Sequence, residues 1–130
     1  MIALDTNVIV RLITADDAGQ VRRAEALVAS GPVLLLTSVA LESEWVLRSA
    51  YGYSPAQINR ALRVVCGLRQ VTVAEVDVVH LALQHYADGV DFADALHLAG
   101  ARGCSAFATF DRRLGKRATG LRGTVPVVEP

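Results

Sequence analysis

The spacing of apolar residues changes repeatedly along the chain and marks out its elements. Residues 2–4 form a short β-prone run ending at Asp5, after which Val8, Ile9, Leu12 and Ile13 recur at helical spacing behind Thr6, the predicted N-cap. Residues 16–30 predict a second helix with Val21, Ala24, Leu27 and Val28 on one face, stopped by Gly31-Pro32. Residues 33–36 are continuously apolar but too short for a helix, and predict a buried parallel strand. Thr37-Ser38 caps a predicted helix to about residue 50, ended by Tyr51-Gly52. Ser54 followed by Pro55 opens another, to about Cys66. Val71–Val73 predicts a short strand, residues 75–87 a helix closed by Gly89, and residues 91–102 a helix closed by Gly103. Residues 106–109 and 125–128 predict the last two strands. This alternation predicts an α/β fold, with a central parallel sheet covered by helices on both faces.

Composition agrees with a packed core. The chain has 130 residues, 52% hydrophobic and 20% charged, which predicts one domain spanning 1–130 rather than two, and excludes disorder. The 13 acidic and 13 basic residues cancel, so no global basic field points to nucleic acid. Cys66 and Cys104 make no metal-binding pair and predict buried, reduced thiols, as in a cytoplasmic protein. No apolar run approaches membrane-spanning length, and no charged segment precedes an apolar one at the start, so neither a membrane helix nor a signal peptide is expected.

Candidate chemistry lies in the carboxylates. In open α/β sheets ligands bind beyond the carboxyl ends of the strands. Asp5 stands at one such end, and Asp111 two residues beyond another. On the helix from residue 91, Asp91 and Asp94 fall within about 60° of each other, beside an apolar arc of Phe92, Leu96 and Ala99. Glu42 and Glu44 are about 200° apart on their helix, so only one can face a given site. Glu44 precedes Arg48 by four residues and predicts a solvated surface pair. Glu42, flanked by Trp45 and Val46, predicts the functional glutamate. Asp5, Glu42, Asp94 and Asp111, with Asp91 adjacent, would repel if gathered without a counter-ion. All-oxygen donors favour Mg²⁺ or Mn²⁺. His80 and His85 have no partner at ligand spacing, and His97 points away from the apolar face.

These motifs resemble a family. Asp5-Thr6-Asn7 after the first strand resembles the opening of the PIN domain, as does Thr37-Ser38 followed by Glu42 and then Trp45-Val46-Leu47. The run from Asp91 through Ala99, followed by Ala108-Thr109-Phe110-Asp111, resembles its C-terminal half. The order of elements and the length are similar to those of VapC-type toxin ribonucleases, over essentially the whole chain. The resemblance implies a PIN-like three-layer α/β/α domain. It implies that Asp5, Glu42, Asp94 and Asp111 bind Mg²⁺ or Mn²⁺, with Asn7 and Thr109 as supporting polar residues. It implies RNA hydrolysis, a homodimer, and inhibition by a cognate VapB-type antitoxin.

The mechanism expected is attack by a metal-activated water, with Asp5 and Asp94 as the firmer ligands, leaving a 5′-phosphate and a 3′-hydroxyl. Arg112, Arg113, Lys116, Arg117 and Arg122 give five bases in eleven residues beside Asp111, and predict a phosphate-tracking rim. Two other readings stay open: a phosphatase with Asp5 as nucleophile, although Asn7 stands where a second aspartate is wanted, and a non-catalytic binding or scaffold module.

Overall fold

The computed structural model describes all 130 residues, arranged as two compact units, Met1–Glu75 and Val76–Pro130. The first unit runs β1 (Ile2–Ala3), α1 (Thr6–Thr14), α2 (Ala18–Ala29), β2 (Val33–Leu35), α3 (Thr37–Ser49), α4 (Pro55–Cys66) and β3 (Val71–Val73). Its sheet has the order β1-β2-β3, with both pairings parallel: Ile2 lies opposite Val33, and Val33 opposite Val71. Each step between neighbouring strands is a two-helix crossover, as parallel pairing demands. The strands are two or three residues long, so the helices supply most of the burial. Leu4, Ile9, Val28, Val33, Leu35, Val39, Ala40, Val65 and Val71 make the core.

Local signals explain most of the helix ends. Ser54 and Gln57 form a reciprocal capping box on α4, with Pro55 in its first turn; loss of such a cap costs about 1 kcal/mol. Asp17 caps α2 through the Gln20 N–H at 3.0 Å. Two expectations are corrected. The N-cap of α1 is Asp5 rather than Thr6. The N-cap of α3 is Leu36, which has no side chain able to cap; Thr37, expected as part of the cap, is already inside the helix and donates its hydroxyl to Glu75 Oε1 at 2.7 Å.

The second unit runs α5 (Val76–Ala87), α6 (Phe92–Gly100), β4 (Phe107–Ala108), α7 (Arg112–Ala118) and β5 (Val127–Val128). β4 and β5 pair in parallel, Phe107 opposite Val127. α5 and α6 pack along their lengths around Val79, Leu83, Ala95 and Leu98, and the Tyr86 and Phe92 rings meet at 5.1 Å. Helix α7 is absent from the sequence-based expectation. Its sequence, Arg-Arg-Leu-Gly-Lys-Arg-Ala, has only Leu114 and Ala118 buried, too few apolar positions to show a period. No helix is long and apolar enough to cross a membrane. Cys66 is half-buried, but Cys104 is exposed, against the expectation of burial.

Candidate functional site

In the first unit, Asp5 leaves β1 with extended backbone and caps α1, its Oδ1 accepting from the Thr6 N–H at 2.8 Å. Helix α1 packs against α3, and the buried Thr6 hydroxyl donates to Glu42 Oε1. Asp5, Asn7 and Glu42 therefore line one open pocket of about 460 Å³, together with Arg11 and Tyr51.

The face of α3 explains the fate of both glutamates. Val39, Ala40, Ser43, Glu44 and Leu47 form its buried stripe. Glu44 is only 2% exposed, and Arg48 Nε donates to its Oε2 at 2.8 Å. The expected pair forms, but Glu44 is not a surface residue. Glu42 lies on the outer face with Trp45, which is 58% exposed. The apolar arc assigned to Glu42 is thus absent; what fixes Glu42 is the Thr6 hydroxyl.

Arg11 and Tyr51 escaped the sequence reading, in which Tyr51 served only as a helix stop. Arg11 Nη1 donates to Asp16 Oδ1 at 3.0 Å and to the Tyr51 hydroxyl oxygen at 3.1 Å, and its Nε donates to Gln20 Oε1 at 2.6 Å. Tyr51 donates in turn to Asp16 Oδ2 at 2.8 Å. The bonds from Tyr51 and Thr14, with the Arg11 charge, hold the Asp16 carboxyl below its usual range against some desolvation. The signal available was Arg11 itself, the one charged residue between Asp5 and Asp16.

In the second unit, Asp91 stands at the N-cap of α6 without a capping bond, and Asp94 lies half-buried in its first turn. Burial pushes the Asp94 carboxyl above the usual range; the like charges of Asp91 and Asp111 add to this, while His97 opposes it. Asp111 caps α7, its Oδ1 accepting from the Arg113 and Leu114 N–H groups at 3.0 and 3.1 Å. Its own N–H donates to Thr109 Oγ1 at 3.0 Å, which ties Thr109 to the acid it was expected to support. Asp91, Asp94 and Asp111 feel one another's charge, yet within neither unit do three or more His, Cys, Asp or Glu side chains form a group able to hold a metal ion.

The basic run divides. Arg112 is engaged with Glu129 at 3.2 Å. Arg117 Nη1 donates to the Asp88 carbonyl at 3.4 Å, directly over Gly89, where a Cβ would come within 2.5 Å of that nitrogen. Arg113 and Lys116 are exposed and make no ion pair. His97 is exposed as expected and stacks on Phe107 at 6.4 Å.

The family model described as "PIN domain" matches residues 2–120. The chain belongs to the PIN domain family. That membership carries the fold class expected from the sequence, α/β with a parallel sheet, and the pairings in both units are parallel. Two solved structures are similar at low identity. One is Mycobacterium tuberculosis VapC20, a Sarcin-Ricin loop cleaving toxin: 24% identity, TM-score 0.45, covering 97% of this chain and 100% of that one. The other is VapBC2 from Rickettsia felis, bound to a DNA fragment from its promoter: 14% identity, TM-score 0.41, covering 99% and 98%. No curated protein matches.

Proposed function

We propose that this PIN protein is an endoribonuclease dependent on Mg²⁺ or Mn²⁺, and the toxin of a VapBC-type toxin–antitoxin module, with residues 1–130 acting as a single domain. The observation that carries the reading is the Thr6 bridge, which brings Glu42 into one pocket with Asp5 in a chain matched to the PIN model nearly throughout. In this reading Asp5 and Glu42 in the first unit, and Asp94 and Asp111 in the second, are the acids of the reaction. Asp5 and Asp94 are the firmer metal ligands, with Asp91 adjacent to Asp94.

The donor chemistry fits a hard divalent cation. Every member is a carboxylate, and the like charges that press on Asp94 are of the sign a cation relieves. When bound, the ion supplies Lewis acidity at a phosphoryl oxygen and lowers the pKa of a water. The chain does the positioning. Thr6 occupies Glu42 Oε1 and leaves Oε2 to orient a water and accept its proton. The two N–H groups on Asp111 Oδ1 fix that carboxylate and leave Oδ2 without a hydrogen bond. Asn7 offers an amide beside Asp5. Arg112, Arg113, Lys116 and Arg117 track phosphates away from the chemistry. Such hydrolysis does not use the ribose 2′-hydroxyl as nucleophile, so the products carry a 5′-phosphate and a 3′-hydroxyl. A cytoplasmic homodimer held inactive by a VapB-type antitoxin completes the proposal.

The test is to map RNA 5′ ends in cells expressing the chain against an Asp5→Asn control. New 5′-phosphate ends confined to the unmodified chain are expected. Identical ends in both strains would sink the reading.

A further inference from the structure

Helices α1 and α2 enclose a second cleft of about 540 Å³, lined by Asn7, Val8 and Arg11 from α1 and by Gln20, Arg23, Ala24 and Leu27 from α2. The α2 residues recur at positions i, i+3, i+4 and i+7, so one face of that helix supplies them all. Asn7 and Arg11 also line the pocket that holds Asp5 and Glu42, so the two cavities share a wall. The acid pocket carries two carboxylates, whereas the adjoining cleft is lined by two arginines and no acid.

The two arginines are prepared differently. Arg11 is clamped through Nε and Nη1 by Gln20, Asp16 and Tyr51, which leaves Nη2 without a hydrogen bond. A guanidinium already held in place gives up little side-chain freedom when it takes a phosphate oxygen. Arg23 is exposed and has no ion pair. Beside them, Asn7 adds a neutral amide and Val8, Ala24 and Leu27 an apolar floor, suited to a strand whose phosphates and bases alternate in polarity.

We propose that the α1–α2 cleft is a track for the RNA strand, with Arg11 and Arg23 holding its phosphates next to the Asp5–Glu42 pocket. The proposal rests on the nuclease reading above and adds a positioning pair that the run at 112–117 does not include. Arg11 acts on the substrate backbone, and Asp16, Tyr51 and Gln20 act through Arg11.

The experiment measures binding of a fluorescent single-stranded oligouridylate to the Asp5→Asn protein across a series of KCl concentrations. The same titration is run with Arg11→Gln and Arg23→Gln added. Each arginine–phosphate pairing removed should flatten the log–log salt slope by about 0.7, so the double substitution should remove about 1.4. Arg11→Lys, which keeps the charge, should restore the Arg11 share of the slope. Should the double variant fail to fold, Arg23→Gln alone, at an exposed position, should still remove about 0.7. A slope unchanged in folded variants overturns the track. So does arginine-dependent binding of a polyglutamate peptide without any such dependence for RNA, since the cleft would then dock protein. Wild-type protein that cuts RNA while the variants keep the full slope overturns the track alone. Wild-type protein that binds RNA with the arginine-dependent slope but never cuts it supports the track and sinks the nuclease reading.

Discussion

The hydroxyl of Thr6 donates to Oε1 of Glu42, joining the first turn of α1 to the middle of α3 across 36 positions of sequence. Thr6 is itself buried, so water competes poorly for its hydroxyl even though the carboxylate it holds is exposed. It makes the direction of an otherwise exposed glutamate a property of the fold.

Thr6→Val keeps the shape and removes the donor. Cleavage should fall through kcat with little change in KM, by up to roughly a hundredfold if the carboxylate drifts by about an ångström. Thr6→Ser should restore most of the rate. A Thr6→Val enzyme with unchanged kcat would show that Glu42 needs no such guide.

Glu42 and Glu44 should separate activity from stability. Glu42→Gln should abolish cleavage and shift stability by no more than about 0.5 kcal/mol, because the position is exposed. Glu44→Ala leaves a void among buried neighbours and strips Arg48 of its partner, so it should cost about 1–3 kcal/mol in urea unfolding. Loss of cleavage confined to Glu44 variants that remain folded would reverse the assignment.

Asp94 gives a prediction with a definite sign. Its folded-state carboxyl titrates above the ordinary aspartate value of 3.8, so the folded chain holds that proton more tightly than the unfolded chain. The benefit is full below the unfolded value and is lost as pH rises through the folded one. At neutral pH, in a chelator, Asp94→Asn should therefore melt higher than the unmodified protein, and the gap should close below about pH 4. Millimolar Mn²⁺ should raise the melting temperature of the unmodified protein, a ligand at 100 times its Kd adding about 2.7 kcal/mol. The rise should be smaller in Asp94→Asn. Equal rises in both proteins would remove Asp94 from the metal set, and no rise in either would favour a non-catalytic module.

His85 is the acid-sensitive point of the second unit. It is buried in α5 with neither ring nitrogen hydrogen-bonded. Desolvation holds its pKa below 6.5, with Asp88 opposing. The folded protein thus keeps the ring neutral. As pH falls through 6.5 the unfolded chain takes up a proton that the fold refuses, and stability declines until the folded value is passed. His85→Leu should abolish that part of the acid dependence and stabilise the protein by about 1–3 kcal/mol at neutral pH. Parallel stability–pH curves for the two proteins would mean that the ring finds a partner.

The sequence made the elements legible where local chemistry decides them. Ser54-Pro55 announced α4, and Gly31-Pro32 stood where α2 gives way to β2, because capping and turn chemistry act over three or four residues. Asp5 was legible as a strand-end acid because the β-prone run stops there, although its capping role was not. The face of α3 was not. Its apolar residues are spread widely, so the stripe through Ser43 and Glu44 competes with one through Trp45, and only packing against other helices selects between them. The Arg11–Asp16–Tyr51 network was hidden because its last member lies 35 positions beyond Asp16. Helix α7 was masked by its own charge, since a basic run suggests phosphate binding before it suggests structure.

The parallel order of the first sheet has a consequence for how such a chain can change. Because β1, β2 and β3 run the same way, Asp5, Leu36 and Ala74, which lie level with one another just past the paired residues, emerge along one edge, and Thr37 and Glu75 already bond there. The core lies in the strands and in the helix stripes behind that edge. Point changes among those few following positions would alter what the edge grips while the packed interior stays as it is. Inheritance can therefore vary the chemistry and the scaffold through separate sets of substitutions.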